Sequence, residues 1–345
     1  MGITNSEYFL LFVTSYLFVG LLTPIMRKIA IATDVVDRPN SSHKSHKKAV
    51  PYLGGVAIII GVITVSFSAS LFSQFTSSTL WLAISVLGPA LFLGLIGLWD
   101  DIRNLPPLPR FIAQTFSGVF TASILIITDN IGNPTGSSIF DSIITVVWIV
   151  GICNSINFFD NLDGGAAGTV AISSIALAYL SLIGDQYLIA ALSVVTAGST
   201  LGFLVWNKSP AKIYMGDAGA LFLGVLLATL TVRFEPTAQS QLGSFLIPVL
   251  LLAIPILDTT VAVLSRIRRH LSPFLGGQDH LSHRLIRSGV TRKASAIILW
   301  SLSGLFAGVS VLLPNASQST TNYLLFGAGL TWMTLFIAFF RTKDN

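Results

Sequence analysis

A set of aspartates stands at the ends of apolar segments, or in the loops that join them, on what we predict to be one side of the molecule. Its members are Asp34, Asp37, Asp100, Asp101, Asp160, Asp163, Asp217, Asp258 and Asp279. A short carboxylate on a rigid backbone suits the binding of a hard cation and chemistry on phosphate. Loops that only face water would mix Glu with Lys, so this pattern predicts a charged functional site.

Asp100 and Asp101 are adjacent and close a long apolar segment. Two neighbouring carboxylates repel each other unless a cation lies nearby, and an Asp at a helix C-terminus opposes the helix dipole. The pair therefore predicts a metal or proton-transfer site at the membrane edge. A solvated helix end is the alternative.

The densest polar stretch is residues 154–165, where amides and carboxylates interrupt an apolar segment. Asn157, Asp160 and Asp163 in this stretch are candidates for holding a metal or binding a nucleotide base. The alternative is an Asx-rich turn that only ends a helix.

The segment 210–220 offers Lys212 for phosphate, Tyr214 as a stacking surface and Asp217 at a predicted helix start. Each has an ordinary alternative. Asp217 suits an N-cap, Lys212 suits the positive charge of a cytoplasmic loop, and Tyr214 suits an anchor at the membrane interface.

Two histidines and an arginine, His280, His283 and Arg284, stand close together and suit a diphosphate. A zinc site is the alternative for the histidines, but no Cys lies nearby and the surrounding acids favour magnesium. Asp258 falls inside a predicted span, where a carboxylate is a functional candidate by default and a structural hydrogen-bond partner otherwise.

The loop 34–55 is basic and carries His46. Such a loop at a leaflet surface attracts anionic lipid headgroups. Ordinary positive charge on a cytoplasmic loop also explains its lysines.

The elements that position these residues are membrane spans. Of 345 residues, 52% are hydrophobic and 10% are charged, where soluble domains carry roughly 25% charged residues. This composition excludes a soluble enzyme, a disordered chain and a disulfide scaffold, and it predicts an all-α polytopic membrane protein forming one domain over 1–345. About eleven apolar segments are long enough to cross a bilayer core of ~30 Å. They lie at 8–26, 52–72, 80–98, 110–128, 142–158, 167–184, 186–205, 218–233, 243–265, 294–313 and 322–340.

The positive charges predict the orientation of these spans. With the N-terminus outside, every Lys and Arg except Arg233 falls in an inside loop or in the C-terminal tail. The C-terminus and the polar loops then face the cytoplasm. The formal net charge of +5 is explained by these loops, so no nucleic-acid partner is expected.

Taken together, these segments resemble the polyprenyl-phosphate N-acetylhexosamine-1-phosphate transferase family over nearly the whole chain. The matching motifs are Asp37-Arg38-Pro39 with His46, Asp100-Asp101, Asn154…Asn157…Asp160…Asp163, Asn207…Asp217, Asp258-Thr259 and His280…His283-Arg284. The last motif is more similar to that of the WecA/TagO-type enzymes than to that of MraY. The chain departs from the family pattern at Ser282, where His is frequent, and at Asn161, where many members have Gly.

The resemblance implies that a UDP-N-acetylhexosamine gives its sugar 1-phosphate to a polyprenyl phosphate and releases UMP. It implies Mg²⁺ as cofactor, with Mn²⁺ as a possible substitute, held by Asp217 and Asn157. The catalytic residues that it implies are Asp100, Asp101, Asp217 and His283, with the Asp100–Asp101 pair engaging the lipid phosphate. The substrate-binding residues that it implies are Asn157, Asp160, Asp163, Asn207, Tyr214, His280, Arg284 and His46, among which Asp160, Asn207 and Tyr214 form the uracil pocket.

The expected donor is UDP-GlcNAc, and UDP-GalNAc, UDP-QuiNAc, a UDP-diamino sugar and UDP-MurNAc-pentapeptide are alternatives. Direct attack on the β-phosphorus is favoured over a covalent Asp intermediate. The expected location is a bacterial plasma membrane, with membrane lipid around the spans, and a homodimer follows from the resemblance alone. A secondary transporter is disfavoured because no internal repeat is evident, and a scaffold protein would not need the polar motifs.

Overall fold

The computed structural model describes residues 4–37, 49–72, 77–103, 105–127, 136–236, 238, 240–272 and 277–342. Within these residues the chain forms a helical bundle with one short antiparallel hairpin. The helices are α1 (Asn5–Ala32), α2 (Gly54–Phe72), α3 (Ser77–Arg103), α4 (Pro107–Ile127), α5 (Ser138–Phe159), α6 (Gly165–Ile183), α7 (Tyr187–Asn207), α8 (Gly216–Arg233), α9 (Gln241–Leu251), α10 (Ala253–Arg268), α11 (Leu281–Arg287), α12 (Arg292–Leu312) and α13 (Gln318–Arg341). The hairpin strands are β1 (Val36–Asp37) and β2 (Val50–Pro51), and Leu313–Asn315 form a 3₁₀ turn.

The number of spans agrees with the sequence prediction. Among the described residues, ten helices are long and apolar enough to cross a membrane, and the bent pair α9–α10 brings the number to eleven when it is taken as one span. The chain is therefore an all-α, multi-pass membrane protein. Of the described elements, only α11 and the hairpin fall outside the set of spans.

The span predicted over 243–265 contains a sharp bend. The helix breaks at Leu252, and its two halves are bent by 71°. Pro255 explains the break, because its ring clashes with the carbonyl of Leu251 and removes that carbonyl's helical partner. The Ser173 hydroxyl supplies a replacement, donating to the Leu251 carbonyl at 2.6 Å. The bend turns α10 so that its buried carboxylate, Asp258, meets α11.

Helix α8 forms the centre of the bundle. Inside the protein, 89% of the apolar stretch of α8 is buried, whereas only 11% of the apolar stretch of the peripheral α13 is buried. A helix that is apolar on all sides is stable only when it is enclosed by other helices, and α3, α5 and α2 pack around α8. The start of α8 is thereby held between the ends of its neighbours.

Glycines allow the neighbours to approach α8 closely near its first turn. A Cβ at Gly97 of α3 would lie 2.3 Å from the carbonyl oxygen of Asp217, and one at Gly55 of α2 would lie 2.1 Å from the backbone nitrogen of Gly219. Backbone-to-backbone contact of this kind is usual where small residues face each other in membrane helix packing. It fixes the C-terminal end of α3 against the N-terminal end of α8.

This contact predicts that Gly97→Ala destabilises the protein, because the added methyl group must push α3 away from α8. We expect a lower midpoint of thermal unfolding in detergent, corresponding to about 1–3 kcal/mol. Gly88→Ala is the matched control on the same helix, since a Cβ added at Gly88 would meet nothing within 4 Å. Equal midpoints for the two variants would contradict the close α3–α8 contact.

Candidate active site

A cavity of about 490 Å³ opens where the ends of α3, α4, α5, α7, α8 and α12 come together. Its described lining is strongly polar. The lining residues are Asp37, Tyr52, Asp100, Asp101, Leu105, Arg110, Asn157, Asp160, Asn161, Leu162, Asp163, Asn207, Tyr214, Gly216, Asp217, Gly277, His283 and Arg292. The predicted convergence of distant motifs is therefore present in the structure.

The Asp101 carboxylate caps the first turn of α8. One oxygen accepts the backbone N–H of Asp217 at 2.8 Å, and the other accepts that of Ala218 at 3.0 Å. An anion in this position satisfies orphan donors and interacts favourably with the helix dipole. Gly216, at φ +72°, makes room for it, since a Cβ there would lie 2.5 Å from Asp101 Oδ2. Asp101 thus fixes Asp217 beside the end of α3.

Arg110 joins two carboxylates that come from different helices. Its Nη1 atom lies 2.7 Å from Asp100 Oδ2 and 2.6 Å from Asp217 Oδ2. The other oxygen of Asp217 accepts from Asn157 Nδ2 at 2.8 Å, and the other oxygen of Asp100 accepts from the Leu105 N–H at 2.5 Å. Four helices, α3, α4, α5 and α8, therefore meet at one charged cluster.

The opposite part of the cavity is built around Asp163. Its Oδ2 atom accepts the Ala211 N–H at 3.2 Å, and its Oδ1 atom lies 3.8 Å from Nη1 of Arg292. Arg292 is the first residue of α12. A cationic side chain thus lies on each side of the cavity, Arg110 near Asp217 and Arg292 near Asp163.

Asn207 shapes the same part of the cavity through backbone contacts. Its Oδ1 atom accepts the Gly164 N–H at 2.9 Å, and its Nδ2 atom donates to the Ile213 carbonyl at 2.9 Å. The side chain is 2% exposed. Asn207 therefore holds the turn before α6 against the segment that leads into α8, in addition to lining the cavity.

The hairpin supplies a further wall next to Tyr214. The Tyr214 N–H donates to the Pro51 carbonyl at 2.9 Å, and the Gly54 N–H donates to the Tyr214 carbonyl at 3.0 Å. The rings of Tyr52 and Tyr214 lie 6.2 Å apart between centroids. Burial, followed by the charge of a nearby Asp, raises the pKa of each tyrosine, so both hydroxyls stay protonated.

The cavity carries an excess of negative charge. Six aspartates and two arginines line its described part. Burial raises the pKa of Asp160 well above the usual value, and the charges of Asp217 and Asp101 raise it further. Such a cavity repels an anionic substrate unless further positive charge offsets the carboxylates.

The chemistry of the donor set fits Mg²⁺. In the part of the chain that the structure describes, no three His, Cys, Asp or Glu side chains form a closed metal site. Mg²⁺ does not require one, because it keeps several waters and takes one or two carboxylates together with substrate phosphates. Asp217, with Asn157 in contact and Asp100 sharing its arginine, offers that arrangement.

His283 lines the cavity and is neutral. Burial lowers its pKa to about 4, and the neighbouring His280 adds to this effect. A neutral imidazole can donate one hydrogen bond and accept another. His283 is therefore suited to a hydrogen bond with substrate rather than to a charge pair.

His280 lies behind the cavity wall. Its Nδ1 atom lies 2.7 Å from Asp258 Oδ2, and the other oxygen of Asp258 accepts the Leu281 N–H at 2.7 Å. Asp258 is fully buried, and of the two sequence interpretations this geometry supports the structural one. The pair fixes the start of α11 against α10.

The predicted contact of Arg284 with a diphosphate requires its side chain to reach the cavity. The structure does not place it there. The side chain is fully buried. Its donors point to the carbonyls of Asp279, Phe339 and Thr342 and to the Ser265 hydroxyl, at 2.8–2.9 Å. These contacts tie α11 to α10 and to the end of α13.

Of the remaining predicted residues, Asp100, Asp101, Asn157, Asp160, Asp163, Asn207, Tyr214, Asp217 and His283 all line the cavity. His46 lies outside the described residues, as do Arg38 and Pro39 of the same motif. Arg110 and Arg292 were missed as site residues, because an Arg in a cytoplasmic loop has the same sequence signal as ordinary positive-inside charge.

The two positions at which the chain departs from the family pattern contact each other. The Ser282 hydroxyl donates to Asn161 Oδ1. Neither residue alone gave a sequence signal for this contact, since they are far apart in the chain.

Comparison with known proteins shows the family to which the chain belongs. A family model described as "Glycosyl transferase family 4" matches residues 83–235. The probable undecaprenyl-phosphate N-acetylglucosaminyl 1-phosphate transferase of Bacillus subtilis is 34% identical over 333 residues, which cover 95% of this chain and 87% of that protein. The chain belongs to this family of transferases. The matched segment includes Asp100, Asp101, Asn157, Asp160 and Asp217.

Two further relatives help to place the chain within the family. The decaprenyl-phosphate N-acetylglucosaminephosphotransferase of Mycobacterium leprae is 31% identical over 375 residues, covering 100% of this chain and 93% of that protein. The phospho-N-acetylmuramoyl-pentapeptide-transferase of Bacillus subtilis is 32% identical, but the match covers 64% of this chain and 72% of that protein. The family prediction is confirmed, and the N-acetylglucosamine enzymes match over more of the chain.

The contacts of Arg284 predict that Arg284→Gln acts on stability. Removing a buried guanidinium leaves several carbonyls without donors, at a cost of about 1–3 kcal/mol for each unsatisfied group. We expect a lower unfolding midpoint, while the folded fraction binds UDP with an affinity within about threefold of wild type, checked by calorimetry. A large loss of UDP affinity with an unchanged midpoint would instead assign Arg284 to the diphosphate.

Proposed function

We propose that this enzyme transfers N-acetylglucosamine 1-phosphate from UDP-GlcNAc to undecaprenyl phosphate, giving the lipid-linked diphosphate sugar and UMP. The observation that carries the proposal is the Asp100–Arg110–Asp217–Asn157 cluster inside a polar cavity at the ends of membrane-spanning helices. The relatives from Bacillus subtilis and Mycobacterium leprae, named for N-acetylglucosamine and a polyprenyl phosphate, support the choice of substrates.

The reaction joins two anions. An oxygen of the lipid phosphate forms a bond to the β-phosphorus of the donor, and the bond from that phosphorus to the bridging oxygen breaks. UMP leaves with the electron pair. Positive groups that are already in place lower the barrier, because they offset the charge that accumulates on the phosphoryl oxygens.

The residues suited to hold Mg²⁺ are Asp217 and Asn157, with Asp100 next to them. When bound, the metal supplies positive charge for the diphosphate oxygens and the departing UMP. Mn²⁺ has a similar preference for oxygen ligands and is a reasonable substitute. Arg110 pairs with both carboxylates, so its guanidinium would also be available to the phosphates of a substrate bound beside them.

Asp101 positions this cluster rather than holding the ion. Both of its oxygens already accept backbone N–H groups of α8. One oxygen of Asp100 instead pairs with a side chain, the guanidinium of Arg110. Asp100 is therefore the better candidate of the adjacent pair for contact with the lipid phosphate or for accepting its proton.

The donor nucleoside fits the other part of the cavity. The Tyr214 ring offers a stacking surface for uracil, and Asp160 and Asp163 lie along the same wall. Protonated Asp160 can donate a hydrogen bond as well as accept one. Arg292 adds a fixed positive charge on this side, where the α-phosphate of the donor would lie.

The cavity faces the cytoplasm of a bacterial plasma membrane in this proposal. UDP-sugars come from the cytosol, and the phosphate of a polyprenyl lipid lies at the leaflet surface, so both reach a site at cytoplasmic helix ends. Arg27 and Lys212, which are linked by a 3.0 Å hydrogen bond from Arg27 to the Lys212 carbonyl, lie in inside segments by the positive-inside rule.

A transfer assay tests the proposed function. Purified protein with labelled UDP-GlcNAc, undecaprenyl phosphate and Mg²⁺ should release UMP and label the lipid. UDP-GalNAc, UDP-QuiNAc and UDP-MurNAc-pentapeptide are compared as donors. Absence of product with every UDP-sugar would sink the proposal, and a clear preference for another sugar would correct the donor.

Asp217→Asn should lower the turnover number by at least about 10²–10³-fold, because it removes the carboxylate proposed to hold Mg²⁺ and with it the positive charge that stabilises the phosphoryl oxygens. The unfolding midpoint should stay close to wild type. Asp185→Asn is the matched control, since Asp185 lies in the turn between α6 and α7, outside the cavity. Retained activity in Asp217→Asn would remove this residue from the metal site.

Cysteine labelling tests the orientation. In a Cys153→Ala background, Lys212→Cys and Asn315→Cys place single thiols at exposed positions. An impermeant maleimide added to intact cells should label position 315 and spare position 212 until the membrane is opened. The reverse pattern would overturn the cytoplasmic location of the cavity.

A further inference from the structure

Two segments that line the cavity are joined directly by the side chains of Asn161 and Ser282. Asn161 lies in the turn between α5 and α6, and Ser282 is the second residue of α11. The Ser282 hydroxyl donates to Asn161 Oδ1. Ser282 is 2% exposed and Asn161 is half-buried, so the bond lies at the cavity wall. The contact links two parts of the chain that are otherwise distant in sequence.

The Asn161 amide is held at both ends. Its Nδ2 atom donates to the Phe158 carbonyl at 2.5 Å, while Oδ1 accepts from Ser282. A carboxamide with both ends paired has one orientation. Asn161 lines the cavity in that orientation.

Further contacts join the end of α5 to the start of α11 and to α10. The Phe158 ring meets the His280 ring edge-on at 5.8 Å between centroids. The guanidinium carbon of Arg266 lies 5.7 Å from the centroid of the same Phe158 ring. The end of α5 and the start of α11 therefore form one packed unit, within which the Asn161–Ser282 bond is the contact at the cavity wall.

The neighbours of the bonded pair are cavity residues on both sides. Asp160 precedes Asn161, Asp163 lies two residues after it, and His283 follows Ser282. The bond thus ties the segment that carries His283 to the segment that carries Asp160 and Asp163. Asp100 and Arg110, where the lipid phosphate is proposed to react, belong to the other helices of the cavity.

We infer that Asn161 and Ser282 are a positioning pair that fixes His283 relative to Asp160 and Asp163 and so determines the affinity for the UDP-sugar donor. The inference rests on the proposed function and adds to it a specificity element on the donor side. The pair does not touch the groups that handle the lipid phosphate, so its effect falls on the donor and not on the acceptor.

The test compares Ser282→Ala, Asn161→Ala and the double variant in the transfer assay. Each single variant should raise the KM for UDP-GlcNAc about 3–10-fold, which corresponds to the loss of one neutral hydrogen bond, and change the KM for undecaprenyl phosphate by less than about twofold. The double variant should be no worse than the more impaired single variant, because both substitutions remove the same bond. Calorimetric binding of UDP-GlcNAc without acceptor should show the same pattern.

Two further variants separate positioning from general packing. Ser282→Thr keeps the hydroxyl and should restore the donor KM to within about twofold of wild type. Ser288→Ala is the matched control, because Ser288 lies at the exposed end of the same helix and donates to the Arg284 carbonyl at 2.9 Å. If Ser282→Ala does not fold, Ser282→Cys provides a near-isosteric side chain with a much weaker donor.

The inference is overturned if the single variants keep the donor KM of wild type, if their effects multiply in the double variant, or if the acceptor KM rises equally. These results are distinct from failure of the proposed function. In that case the wild-type protein itself would give no product with any UDP-sugar.

Discussion

The site depends on one interaction, the capping of α8 by the Asp101 carboxylate. Among the described helices α8 is the most enclosed span, and its first turn lies half-buried at the cavity between the ends of other helices. Its free N–H groups need partners there. Asp101 provides two acceptor oxygens for them. Because Asp101 adjoins Asp100 in the chain and Asp217 is one of the residues that it caps, this contact also brings the carboxylates of Asp100 and Asp217 together. The same carboxylate therefore stabilises the start of α8 and sets the geometry of the charged cluster.

Most of the fold and much of the site could be predicted from the sequence, because their signals are local. Apolar segment length and the distribution of Lys and Arg gave the number of spans, which the bundle confirms. The polar motifs gave nine cavity residues directly, among them Asp217, Asn157 and Tyr214. The predicted topology placed all of these motifs at span ends on the same side of the membrane. Their convergence could be predicted for that reason, although no single motif indicates it.

The features that could not be predicted share one cause. The residues that flank a side chain in the sequence do not reveal which distant residue it contacts in the fold. Arg284 and His283 are adjacent, but one is buried against α10 and α13 and the other lines the cavity. In the sequence, Arg110 looks like an ordinary positive charge of a loop. Only the folded structure shows that it lies between α3 and α8. Predicting the break at Leu252 would likewise have required knowing that the Ser173 hydroxyl donates to the Leu251 carbonyl, which loses its helical partner because of Pro255.

The position of Arg110 has a consequence for how the helix ends assemble. Its guanidinium lies between Asp100 of α3 and Asp217 of α8 and acts as an internal counter-ion. The two helix ends can therefore come together without leaving their carboxylates to repel each other across a dry interface.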